Sequence, residues 1–443
     1  MAKKTILLIA VLLFFIFNAF ILFRWGLFPA LIFTVTCFFL VQGFFATYSM
    51  LFSYLNPENL KKVKPPQKFL PPKLSFSLII PVRNEEKVIK QTLMAMKKIN
   101  YPKELYEILV IARDDDHKTV AEILKALGHL PPTFNLLVYQ NFPNNKPEGL
   151  NAALEYTKKD IVAIFDAEDE PHPDILNAVN TVFSQKAVDI IQSGVQLVNV
   201  ASHWYSPYNC LEYYFWFKSV LPFFSLNGAN PLGGNTVFFK KNCLQEASGW
   251  DKKCLTEDAE IGIRLSAAGK KTAVIYDEEM ATREETPPSL AGFIRQRTRW
   301  HQGYLQVLLK GDWLKLKSFR QKFISSYLLF YPFIQLITTL WFLTSPWFSF
   351  TVKIPLGLAL FSYFPSYFLL LQWSISLIGL FHLKKNYQLT FSPWLYVKFL
   401  IFYFPYQFVL AWATIRAIKR QVAKLEFWEK TEHINAHRQM AVN

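Results

Sequence analysis

Short apolar runs separated by amphipathic stretches fill the middle of the chain, and long uninterrupted apolar runs fill both ends. The short runs fall at residues 78–82, 108–112, 136–139, 161–165, 189–192 and 272–276. Strands alternating with helical stretches predict an α/β domain with a mostly parallel sheet covered on both faces. Ile161-Val162-Ala163-Ile164-Phe165 has the continuous apolar content of a central strand. Polar residues gather where the strands stop: Arg83-Asn84-Glu85-Glu86 after the first, Arg113-Asp114-Asp115-Asp116 after the second and Asp166-Ala167-Glu168-Asp169 after the fourth. Ligands in open α/β sheets bind just beyond the strands' carboxyl ends. Three polar turns along one edge therefore mark the candidate site.

The terminal runs predict membrane crossings, since a bilayer takes about 20 apolar residues. Residues 6–23 follow Lys3 and Lys4, and a short Arg24-Trp25-Gly26 turn leads to a second run at 27–52. No small-residue cleavage pattern follows the first run, which argues for a span over a signal peptide. Lysines 61, 62, 64, 68 and 73 then lie in a proline-rich stretch, and the positive-inside bias puts that stretch in the cytoplasm. Further spans are expected at 324–348 and 354–381. A last apolar segment, 394–415, is broken by Pro405 and followed by Arg416, Lys419, Arg420 and Lys424. It is expected in the interface plane, giving four crossings, with five as the alternative. The division expected is two transmembrane helices in 1–56, a basic linker in 57–73 and a cytosolic catalytic domain in 74–310. A connector with two transmembrane helices follows in 311–381, then an interfacial helix and tail in 382–443. This describes a multi-pass protein of the cell inner (plasma) membrane with its catalytic domain in the cytoplasm.

Composition sharpens the picture. Apolar residues make up 52% of the 443 and aromatics 17%, above the soluble average. The net charge of +15 suits cytoplasmic loops against anionic lipid, and a site for phosphate-bearing substrates. Nucleic acid is disfavoured as a partner, because no basic run with interleaved aromatics occurs outside the membrane-flanking segments. Cys37, Cys210, Cys243 and Cys254 lack metal-ligand spacing and read as unpaired thiols in a reducing compartment.

The carboxylates Asp166, Glu168 and Asp169 repel one another unless a cation neutralises them, and hard oxygen ligands suit Mg2+ or Mn2+. A solvated turn with a helix cap is the alternative. Lys146-Pro147-Glu148-Gly149-Leu150-Asn151 opens a helix, so a lysine and free N–H groups meet at a natural phosphate position. The glycines of Pro231-Leu232-Gly233-Gly234-Asn235 allow close backbone approach to a ligand. Thr256-Glu257-Asp258 leads into a helix; a capped start with acids favoured by the dipole is the plainer reading. Gln296, Arg299 and Trp300 recur at i, i+3 and i+4 on one helical face. With Arg295, Arg297 and His301 nearby, that helix offers guanidinium donors and an aromatic platform for a pyrophosphate and a sugar ring. A basic amphipathic helix lying on the membrane surface accounts for the same residues.

Taken together, the ordered series of the Asp114 to Asp116 cluster, Asp166-Ala-Glu168, Thr256-Glu257-Asp258 and Gln296-Arg-Thr-Arg299-Trp300 resembles the membrane-embedded family 2 glycosyltransferases, in the bacterial cellulose synthase and hyaluronan synthase branch. The resemblance covers nearly the whole chain and implies a GT-A-like domain inserted between transmembrane helices. It implies inverting transfer from a UDP-sugar to the hydroxyl of a growing polysaccharide, forming a β-linkage. Transfer to a lipid acceptor is the alternative, and a non-catalytic transporter or scaffold the remaining one. By this resemblance Glu85 and Asp115 or Asp116 hold the uridine, the usual Asp-Asp-Gly form being absent. Lys146 approaches the phosphates, Asp166 contacts the nucleotide, and Glu168 with Asp169 holds the metal, glutamate replacing the usual second aspartate. Asp258 is implied as general base. Gly234, Asn235, Glu257, Gln296, Arg299 and Trp300 are placed on the acceptor and pyrophosphate side. In the tail, Trp428, Lys430 and Thr431 occupy the place of the gating loop of cellulose synthases, in a different order.

Overall fold

The structure, a computed structural model, describes residues 2–351 and 353–439. The chain divides into two compact units, one from the residues up to Leu51 with Ile337–Ile378, the other from Phe52–Leu336 with the chain from Gly379 onward. In the first unit, helices pack through aromatic and small residues. Phe33 stacks on Phe361 at 5.6 Å between ring centres, and Gln372 donates to Thr47 Oγ1 at 3.2 Å. Among the described residues, three helices, Leu27–Leu55, Phe319–Ser345 and Leu356–Asn386, are long and apolar enough to cross a membrane. The last apolar segment forms two helices, Trp394–Ile401 and Tyr403–Val422, bent by 49°.

The second unit is built on a seven-stranded sheet. Its strands are β1 (Phe76–Val82), β2 (Tyr106–Arg113), β3 (Phe134–Tyr139), β4 (Ile161–Ile164), β5 (Ile190–Ser193), β7 (Val237–Lys240) and β8 (Thr272–Ile275), in the order β3-β2-β1-β4-β7-β5-β8. Two short strands, β6 (Val195–Leu197) and β9 (Thr282–Glu284), pair in parallel beside it. All six expected strands are present, and every neighbouring pair is parallel except those of β7, which is antiparallel to both β4 and β5. Side-chain alternation explains why the strands read as unbroken apolar runs. Leu78, Ile80, Val110 and Ala163 pack under the helices Ile89–Met96, His117–Leu127 and Ile175–Gln185. Ile79, Ile111, Val162 and Ile164 face the other way, onto Leu150, Ala153, Ile261 and Leu265. With helices on both faces, both residues of each strand repeat must be apolar.

Two glycines fix the helix that carries Asp258. A Cβ on Gly262 would run into the Asn230 carbonyl, and one on Gly303 into Thr256. The helix Glu257–Ala267 is thereby pressed between the 230–234 loop and the helix Leu290–Lys310.

Candidate active site

The edge formed by the ends of β1, β2 and β4 carries the acids. Asp116 is buried and spent on backbone: it accepts from Asn84 N–H at 2.6 Å and caps the following helix through Thr119 N–H at 3.4 Å. Asp115 is 48% exposed and is paired with Arg83 and, at 3.3 Å, with Arg113. Of the two, Asp115 is the one that faces solvent. Glu85 is buried beneath the C-terminal tail.

Past β4, the Asp169 carboxylate accepts from Asp166 N–H and from Asn235 Nδ2, both at 2.8 Å. Asn235 also donates to Glu284. The carboxylates of Asp166, Glu168 and Glu284 converge, each offering an oxygen within 4.8 Å of the others. Burial and repulsion from the neighbouring carboxylates push both Asp169 and Glu284 well above their ordinary values. Glu168 Oε2 is buried without a hydrogen-bond partner among the described residues. An orphaned carboxylate oxygen among converging acids fits a divalent cation on Asp166, Glu168 and Glu284, and an ion there would offset the repulsion that raises Asp166, Asp169 and Glu284. Asp169 stands behind the three, tied to Asn235.

Across the site, Lys146 opens the helix Lys146–Tyr156, whose start is capped by Asn145 accepting from Glu148 N–H at 3.0 Å. Its ammonium binds Asp166, donates to the Gly234 carbonyl at 2.9 Å and lies 3.9 Å from Glu257. Burial alone would lower its pKa, but Asp166, Glu257 and Asp258 outweigh it and hold the lysine charged. Glu257 is raised by burial and by Asp258 to about 7. Burial likewise raises Asp258, against the pull of Ala259 N–H at 2.8 Å and of the Lys146 and Arg299 charges. Gly234 sits against Asp258: a Cβ there would be 3.1 Å from Oδ2.

The helix Leu290–Lys310 starts at Ser289, which accepts from Gly292 N–H at 3.1 Å. It sends its two central arginines different ways. Arg299 faces the site, donating to the Leu255 carbonyl at 3.4 Å. Arg297 instead binds Glu212 and Asn209 and lies 4.5 Å over the Trp300 ring. Trp300 in turn lies 6.3 Å from Tyr213. His301 is buried against Thr414 Oγ1 at 2.9 Å, and burial lowers its pKa to about 3. The expectation that Arg297 and His301 join the donor face is thus corrected: helical periodicity turns both onto neighbouring helices. Gln296 Oε1 and Arg299 Nε are buried without partners among the described residues.

The C-terminal tail lies over this edge. Trp428 covers the Arg299 guanidinium at 4.2 Å, and Lys430 sits 3.1 Å from Glu85. His433 bridges Glu168, 3.0 Å from Nε2, and Glu85, 3.3 Å from Nδ1. Despite burial, these carboxylates hold the imidazole well above its usual range, and it holds Glu168 down at about 2. Arg438 donates to the carbonyls of Glu168 and Asp169, both at 3.0 Å. Thr431 is buried here with its hydroxyl unpartnered among the described residues. Sequence reasoning missed Glu284, Glu285, His433 and Arg438. The adjacent acids Glu284-Glu285 at the end of a three-residue strand were the available signal for the first two.

The profile described as "Glycosyltransferase like family 2" matches residues 71–303. The "Probable glycosyltransferase YdaM" of Bacillus subtilis is 25% identical over 90% of this chain and 94% of its own length. The "Beta-monoglucosyldiacylglycerol synthase" of Trichormus variabilis is 26% identical over 55% of this chain and 52% of its own. Among solved structures, the mannosyltransferase PcManGT of Pyrobaculum calidifontis, in complex with GDP-Man and Mn2+, shares the fold with a TM-score of 0.57. It covers 89% of this chain and 99% of its own at 16% identity, and the fold shared is GT-A-like. The profile spans more than half of the chain and takes in every acid of the sheet edge, and on that footing the chain belongs to the family 2 glycosyltransferases.

Proposed function

We propose that this enzyme is an inverting, multi-pass glycosyltransferase of the plasma membrane, which transfers a sugar from a UDP-sugar to the hydroxyl of a growing polysaccharide on the cytoplasmic face. The observation that carries this reading is the placement of Asp258 beside Gly234, Lys146 and Arg299, across from the converging acids. The acceptor hydroxyl gives its proton to the Asp258 carboxylate as its oxygen bonds the anomeric carbon. The bond to the diphosphate breaks on the opposite side, which inverts the configuration. Lys146 and Arg299 hold the departing diphosphate, since preformed cations at developing charge do the largest share of such work. Asp166, Glu168 and Glu284 hold Mg2+ or Mn2+, which supplies further charge neutralisation for the diphosphate when bound. Asp115 with Glu85 contacts the nucleoside. Gln296, Trp300 and Tyr213 line the acceptor side, where an aromatic face suits a sugar ring. Trp428, Lys430, Thr431 and His433 close the site against water.

A second reading, transfer to a lipid hydroxyl, is favoured by the relatives named as glucosyldiacylglycerol synthases. A panel of UDP-sugars offered to the purified protein, read by UDP release and product size, tests both. A polymer supports the first reading, a single glycosyl-lipid the second, and release of UDP from no donor in the panel refutes both.

A further inference from the structure

We propose that Glu285 is the positioning residue that holds the tail over the site. This rests on the reading above that the closed tail serves sugar transfer. The Glu285 side chain is fully buried, yet its charge is met by the tail's backbone. One oxygen accepts from Ile434 N–H and from Asn435 N–H at 3.1 Å, and the other accepts from Ala436 N–H. His437 Nδ1 lies 3.7 Å from that second oxygen. Asn435 has a φ of +59°, a left-handed conformation that asparagine tolerates, and its side chain donates to the Lys87 carbonyl at 3.2 Å. The turn therefore aims consecutive N–H groups at one carboxylate, a backbone nest for an anion.

Several other bonds of the tail act elsewhere. Lys430 and His433 bind Glu85 and Glu168, which are substrate-facing groups. Arg416 and Arg420 bind Glu429 at the tail's own root. At the far end of the tail, Asn435 also bonds the Lys87 carbonyl and Arg438 bonds Thr92 Oγ1 and the Glu168 and Asp169 carbonyls, but Glu285 is the residue that gathers three consecutive backbone N–H groups on one carboxylate that neither nucleotide nor cation needs. It also follows directly on Glu284, whose carboxylate belongs to the converging acids, so one strand end serves the acid cluster and the tail. Charge-assisted bonds of this kind are stronger than neutral ones, and an amide in place of the carboxylate would aim an NH2 at one set of N–H donors.

Two variants of the full-length protein test the idea. Glu285→Gln removes the charge and one of the two accepting oxygens. Ala436→Pro removes one donor from the tail without touching the domain, at the first position of the helix Ala436–Gln439, and also disfavours the left-handed turn at Asn435 that aims the other two. Hydrogen exchange at Ile434 and Asn435 should quicken about tenfold or more in each variant. Turnover should fall about tenfold in each, and the double variant should lose no more than either single one. Wild-type exchange rates in both variants, or losses that multiply in the double variant, overturn the proposal. Should exchange respond as expected while the wild-type protein transfers no sugar, the anchor stands and the proposed reaction falls.

Discussion

Replacing Asp258 by asparagine changes the site by little more than one charge. The asparagine carbonyl keeps the bond now made to Ala259 N–H at 2.8 Å, and the amide fits against Gly234 as the carboxylate does. The fold and the Lys146 contacts to Asp166 and Gly234 stay in place, because none passes through residue 258. What is lost is the proton acceptor. General-base assistance is worth about 10² to 10⁴ in rate. At about 1.4 kcal/mol per decade, that is roughly 3–5 kcal/mol of barrier. Single-turnover transfer from a radiolabelled donor should fall by that factor, while calorimetry should show UDP affinity unchanged within a few-fold. The pH profile adds a signature. Burial raises Asp258, and only the ionised form accepts a proton, so the wild-type rate should fall as pH drops through a value above aspartate's ordinary one. The residual rate of the asparagine variant should lack that limb. Turnover within about tenfold of wild type, or a loss of UDP affinity that accounts for the whole effect, would refute the role of base.

Three further outcomes are expected. Chelation should abolish transfer, and Mn2+ should raise the melting temperature of the wild-type protein but not of Glu168→Gln; equal shifts in both would remove Glu168 from the cation site. Gly303→Ala should push Thr256, at the start of the Asp258 helix, off the helix Leu290–Lys310, lowering both activity and stability by about 1–3 kcal/mol, and wild-type melting would show that the contact has slack. Glu257 moves from an ordinary 4.5 to about 7 in the fold, so it favours the folded state when protonated. Its contribution is fully present below 4.5 and lost as pH rises through 7, at most about 3 kcal/mol. Glu257→Gln should abolish that part of the pH dependence of unfolding, and an unchanged profile would count against the buried pair.

The sheet was legible because its chemistry is repetitive. Two buried faces demand apolar residues at every strand position, and six such runs stand out. β7 escaped, since its three apolar residues follow a glycine-rich loop, and the antiparallel pairing it makes leaves no mark in a short run. The proposed base and phosphate-side groups stand out in the sequence for a different reason: Lys146 and Asp258 lie in the first turns of helices, where local sequence signals placement. The converging acids were only half legible. Asp166 and Glu168 follow a strand, but Glu284 arrives from 116 residues beyond Glu168 along the chain, and His433 from farther still. Nothing local announces a meeting made by tertiary structure. The hydrogen bond across the sheet edge from Asn84 N–H commits Asp116 to the backbone, which is why the proposed reading takes Asp115 for the nucleoside.

The positions of Lys146 and Arg299 bear on how the base and the donor act together. Lys146 stands between two acid groups, binding Asp166 on the donor side and lying near Glu257 on the acceptor side. Both it and Arg299 pull the Asp258 pKa downward against burial. On the proposed reading, these are the same cations that meet the diphosphate. A bound diphosphate draws on their charge, which leaves Asp258 less well compensated in a buried setting, so its affinity for a proton rises. Proton transfer is most effective when the base's pKa nears the working pH. The carboxylate therefore becomes the stronger base once the donor is in place, and is held weaker when the site is empty. Trp428 over Arg299 works in the same direction, because an aromatic face excludes the water that would otherwise screen the exchange. One pair of cations thus ties the ionisation of the acceptor's base to the presence of the sugar it is to receive.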